Sequence, residues 1–135
     1  TLERFEAALS ALPCRVVIDH MGYLPQPDAM KHPGFPVLLR LLDAGHVWVK
    51  LSGVYLRSAQ RQPPYDDCDA LATELARAAP ERCLWGTDWP HTGVKDPACK
   101  PDGAELFDRL SRWVPDAAAR DKVLVENPTA VYWSA

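Results

Sequence analysis

The sequence contains no apolar run approaching the roughly 18 to 20 residues that cross a bilayer, no low-complexity tract and no linker rich in glycine or serine. These absences exclude a membrane-spanning helix and a chain divided by a linker, so residues 1–135 are expected to form one domain. An excess of basic charge is also missing. Fifteen Lys and Arg stand against eighteen Asp and Glu, a net charge of −3, and the cations are scattered. A nucleic-acid footprint needs a basic stripe, so neither RNA nor DNA is an expected partner. The four cysteines, Cys14, Cys68, Cys83 and Cys99, form no C-x-x-C pair. That removes paired-thiol zinc and redox motifs, and leaves thiols expected to be buried in a reducing compartment. No charged-then-apolar segment opens the chain, and a cytoplasmic location is expected.

What is present is the material of a folded domain: 47% hydrophobic and 24% charged residues. Thirteen prolines, about twice the usual share of roughly 5%, mark frequent element boundaries. "LERFEAALSAL" sets Leu2, Phe5, Leu9 and Leu12 on one helical face ahead of Pro13. "RVVIDH", Arg15 to His20, is a β-branched run that reads as a parallel strand buried on both faces. A Pro- and Gly-rich loop leads to the helix "PVLLRLLDAG", with Gly45 as its C-terminal cap. "HVWVKLSG" is a second strand, followed by the long loop "VYLRSAQRQPPY" and the helix "DDCDALATELARAAP", capped by Asp66 or Asp67. "RCLWGTD" is a third strand. "AELFDRLSRWV", "DAAARDKVLV" and "NPTAVYW" read as three further helical pieces. Strands alternating with helices predict an α/β fold with parallel strands. The loops after the strands are the long, polar ones, which places any ligand site at the C-terminal strand ends.

His20 closes the first strand, Ser52 and Arg57 follow the second, and Asp88 with His91 follows the third. Each has a structural reading as well as a chemical one. His20 either caps its strand or faces a ligand. Asp88 either caps the turn "DWPH" or serves as a base. Arg57 is a solvated loop charge or an anion clamp. Asp19, on the opposite face from His20, reads as structural. Placed together on one rim, the three types suit hydrolysis of an anionic ester, amide or lactone. A carboxylate can deprotonate water, a histidine can polarise a carbonyl, and an arginine can grip a carboxylate through two parallel N–H bonds.

"VIDHMG", "VWVKLSG", "PPYDD", "LWGTDWPH" and "LVENPTAVYW", in that order, resemble the second half of the amidohydrolase-related TIM barrels, most closely the 2-pyrone-4,6-dicarboxylate lactonases. The resemblance implies an α/β chain forming the C-terminal portion, about strands 6 to 8 with their helices, of a (β/α)8 barrel of the metal-dependent hydrolase type. It implies Asp88 as the base that activates water, His20 at the lactone carbonyl, Arg57 on a substrate carboxylate and His91 in support at the substrate. The implied activity is the opening of a carboxylated lactone in the breakdown of aromatic compounds.

The family's H-x-H pair after its first strand occurs nowhere in the sequence, and a whole barrel takes about 250 residues. The chain also begins at Thr1. It is therefore expected to be a fragment that pairs with a missing N-terminal half or self-associates, because three strands alone leave two open edges. No cofactor is expected. The alternative is zinc held in part by His20 and Asp88, as in zinc-dependent hydrolases or decarboxylases of the same superfamily. A non-catalytic half-barrel that keeps the motifs by descent is the reading from a different functional class.

Overall fold

The computed structural model describes residues 1–60 and 62–133. Three parallel strands, β1 (Val16–Ile18), β2 (Val47–Leu51) and β3 (Cys83–Trp85), lie side by side in chain order. Val16 pairs with Val47 and Ile18 with Val49; Val49 then pairs with Cys83 and Leu51 with Trp85. Helix α1 (Leu2–Ser10) precedes β1, α2 (Gly34–Asp43) joins β1 to β2, and α3 (Val54–Arg57) with α4 (Asp69–Ala78) joins β2 to β3. After β3 come α5 (Gly103–Trp113), α6 (Ala117–Asp121) and α7 (Asn127–Tyr132). Among the described residues no helix is long and apolar enough to cross a membrane.

The period-2 alternation of side chains divides each strand between two faces. Val16, Ile18, Val47, Val49, Leu51 and Cys83 face the main core, where Val37, Leu38, Leu41 and Leu42 of α2, Leu71 and Leu75 of α4 and Leu110 of α5 meet them. Val17, Trp48 and Leu84 face the other way and are met by Val131 of α7. Asn127 fixes that helix by donating through Nδ2 to the carbonyls of Pro80 and Cys83, each at 2.8 Å. One face of the sheet is thus thickly covered by helices, and the other thinly.

Several expectations are corrected. Arg15–His20 is not buried on both faces: β1 is an edge strand, and its three residues are only half-buried. Phe5 and Leu12 are exposed, because α1 rests on the core through Leu2 and Leu9. The loop after β2 begins with the helical turn of α3. Neither Asp66 nor Asp67 caps α4: Asp67 accepts from Ser58 Oγ and the Ala59 amide, and Asp66 pairs with Arg109. The last two helical pieces run together through a π-helical turn at Lys122–Glu126, a form that accommodates an extra residue within a helix. Cys68 and Cys83 are buried as expected, but Cys14 and Cys99 lie at the surface. Gly45 does close α2, at a φ of +89°.

Candidate active site

The C-terminal ends of the three strands carry residues in an uncommon backbone state. His20, Asp88 and His91 have φ of +54°, +63° and +58°, in the left-handed region that non-glycine residues enter rarely and that clusters at functional sites. Two tight turns impose it. The Gly22 amide closes on the Asp19 carbonyl at 3.0 Å, and the His91 amide closes on the Asp88 carbonyl at 2.8 Å. The first turn aims His20 across the end of β2, and the second aims Asp88 back over it.

His20 is held from both sides. Its Nδ1 is 2.9 Å from Ser52 Oγ, and its Nε2 faces Asp88 Oδ2 at 3.8 Å. Gly53 (φ +62°) makes this packing possible, since a Cβ there would lie 2.5 Å from His20 Nδ1. Asp88 Oδ2 also accepts from the Tyr55 hydroxyl at 2.6 Å. Oδ1 has no hydrogen-bond partner among the described residues. The carboxylate does not cap its own turn; Thr87 does so, its Oγ1 accepting from the Trp89 amide at 3.2 Å. Of the two sequence readings of Asp88, the capping one is therefore replaced by a network.

Tyr55 was not legible as part of this group. It sits in the four-residue turn of α3, too short to show periodicity, and is brought over Asp88 only by the reversal at Gly53. Burial, then the hydrogen bond and charge of Asp88, raise its phenol well above the usual range, so it remains a proton donor. His91 is 4% exposed and edge-on to Tyr55 at 5.4 Å; its Nδ1 is buried with no partner among the described residues. The turn from Asp88 folds the His91 ring inward, where it packs against Tyr55.

Arg57 stands apart. Its side chain is exposed and its guanidinium has no partner among the described residues. It opens onto a recess of about 230 Å³ shared with Glu3, Gly22, Tyr23 and His32. Tyr23 links this recess to the site, being edge-on to His20 at 5.2 Å. Asp19 has the structural role read from the sequence: it takes Lys50 Nζ at 2.7 Å. Burial opposes the charge on Lys50, but the Asp19 hydrogen bond and the nearby charges of Asp19 and Asp88 together exceed it and hold the ammonium above its usual range. Trp89, beside Asp88, and Trp133 are both exposed.

Among the described residues no three of His, Cys, Asp and Glu converge. His20 and Asp88 offer two ligands, fewer than the three or four protein ligands of a zinc site. The described residues do not make a zinc centre by themselves.

The chain is similar to several curated proteins. It is 41% identical to D-galactarolactone isomerase of Agrobacterium fabrum, over 92% of this chain and 42% of that protein. It is 39% identical to 4-sulfomuconolactone hydrolase of Rhizobium radiobacter, over 87% and 39%. Identity to 2-pyrone-4,6-dicarboxylate hydrolase of Comamonas testosteroni is 36%, over 92% and 43%. A ligand-free crystal structure from Agrobacterium tumefaciens superposes with a TM-score of 0.84 at 39% identity, covering 99% of this chain and 47% of that one. The chain thus spans less than half the length of the relatives it matches. The family description "Amidohydrolase" matches residues 1–133, and the chain belongs to that amidohydrolase family.

Proposed function

We propose that this chain contributes strands 6 to 8 of a (β/α)8 barrel that hydrolyses a carboxylated lactone in the cytoplasm. The observation that carries the reading is the pair His20 and Asp88. They face each other at 3.8 Å at the open end of three parallel strands, and one Asp88 oxygen has no hydrogen-bond partner among the described residues. Asp88 takes a proton from water, the hydroxide adds to the lactone carbonyl, and the ring C–O bond breaks as the leaving oxygen regains a proton. His20, oriented by Ser52, polarises that carbonyl. Arg57, exposed beside Tyr23, receives a substrate carboxylate as a bidentate partner. His91 supports the arrangement from behind Tyr55.

The named activities of the relatives, on galactarolactone, sulfomuconolactone and pyrone dicarboxylate, support a lactone as the substrate class. The thinly covered sheet face and the two open edges favour a partner, either an N-terminal half of the barrel or a second copy. Residues 1–135 then form one structural unit within that assembly.

The test is turnover of 2-pyrone-4,6-dicarboxylate, 4-sulfomuconolactone and D-galactarolactone by the full-length protein, with and without chelator, alongside Asp88→Asn. Hydrolysis that survives chelation and is lost in the variant upholds the metal-free reading. Hydrolysis abolished by chelator and restored by zinc moves His20 and Asp88 to the role of ligands. No turnover of any of the three overturns the substrate assignment.

A further inference from the structure

Tyr55 makes the shortest hydrogen bond in the site, yet it has no part in the hydrolysis proposed for His20 and Asp88. We propose that Tyr55 is the positioning residue of Asp88. Its hydroxyl fixes the carboxylate through Oδ2 and thereby selects Oδ1 as the oxygen that accepts the proton from water. The inference rests on the reading of Asp88 as the base.

The geometry is specific about which oxygen is occupied. Tyr55 donates to Oδ2 at 2.6 Å, and His20 Nε2 approaches that same oxygen at 3.8 Å. Both neighbours act on one side of the carboxylate. A carboxylate free to rotate about its Cβ–Cγ bond would present either oxygen; one held by a short hydrogen bond presents the other in a single direction.

The tyrosine is itself clamped. Its ring lies edge-on to His91 with an interplanar angle of 85°, and the His91 amide is bonded to the Asp88 carbonyl. Phenol and carboxylate are therefore held by the same turn. At its other end α3 is fixed by Gly53, whose carbonyl accepts from the Leu56 amide at 3.0 Å. Because burial and the Asp88 charge keep the phenol protonated, the donor persists throughout the range in which a carboxylate base operates.

A hydrogen bond donated to the charged form favours that form. Replacing Tyr55 by Phe keeps the ring against His91 and deletes the donor alone. The expected result with 2-pyrone-4,6-dicarboxylate and the full-length protein is a fall of about tenfold in kcat with KM within about twofold. The acid limb of the pH profile should also move upward, because the hydrogen bond that favours the charged carboxylate is lost.

A turnover-independent measurement accompanies it: carbon NMR of the Asp88 carboxyl through a pH titration, in the parent and in Tyr55→Phe. Should Tyr55→Phe not fold, the tyrosine phenol carbons are followed in Asp88→Asn, where Tyr55 should ionise at lower pH than in the parent. If the parent turns over substrate, Asp88→Asn is inactive and the Tyr55→Phe profile superimposes on the parent's, the positioning role is refuted while the base stands. If the parent hydrolyses none of the lactones, the proposed function fails, and the carboxyl titration alone decides Tyr55: an upward displacement upholds the bond, and identical titrations overturn it.

Discussion

Replacing Gly53 by Ala should disable the site with little disturbance of the core. Gly53 adopts φ +62° and ψ 30°, where an alanine costs about 1 to 2 kcal/mol. The larger effect is steric. A Cβ on Gly53 would lie 2.5 Å from His20 Nδ1 and 2.7 Å from its Cγ, whereas ordinary contact begins near 3.4 Å. The imidazole must retreat by about 0.9 Å, which displaces Nδ1, the same atom that meets Ser52 Oγ at 2.9 Å. Misplacement of a reacting group by roughly 1 Å is worth about a hundredfold in rate. We expect kcat/KM for lactone hydrolysis by the full-length protein to fall by about that factor, with a stability loss of about 2 kcal/mol in urea unfolding. Gly86→Ala serves as the control: its Cβ would meet Lys50 Cδ at 3.5 Å, and its φ is not left-handed. Activity of Gly53→Ala within threefold of the parent, together with the expected loss of stability, would show that the glycine serves its turn alone and that His20 placement is not what limits the chemistry.

Three further outcomes follow from groups away from the strand ends. Asp69 accepts from Arg109 Nη2 at 2.5 Å and from Trp113 Nε1 at 2.6 Å, tying α4 to α5; Asp69→Asn leaves a buried guanidinium short of charge and should lower stability by about 2 kcal/mol, a value that chemical denaturation would contradict if the midpoint did not move. Cys68 and Cys83 are both pushed up to about 12 by burial, so the folded state holds their protons where the unfolded chain has released them. Their contribution to stability is therefore unchanged below about pH 9 and declines as pH rises from there toward about 12. A thiol reagent at pH 8 should modify Cys14 quickly, Cys99 more slowly because Asp96 holds its thiol above the usual range, and the other two only after unfolding; rapid reaction of all four in the native protein would refute the burial.

Much of the architecture was legible because its causes are local. The β-branched runs at Val16–Ile18 and Val47–Leu51 and the apolar period of "PVLLRLLDAG" each state their element without reference to the rest of the chain. The same reasoning failed at β1, since whether a strand is central or at an edge depends on sheet order, which no single segment encodes. It failed again in "VYLRSAQ", where four residues of helix leave no periodic trace.

The site divides in the same way. The sequence by itself determined that His20 and Asp88 would share one end of a parallel sheet, because each follows a strand and parallel strands run in register. It also carried the family, whose description matches residues 1–133. Tertiary structure alone decided the partners. It decided that Ser52 turns His20, that Tyr55 takes one oxygen of Asp88, that His91 is folded behind that tyrosine, and that Arg57 opens onto a neighbouring recess. The physical reason is that backbone periodicity sets where a residue emerges from its strand, whereas the partner of its side chain is set by left-handed turns at His20, Gly53 and Asp88, whose direction is fixed only when the neighbouring strands are in place.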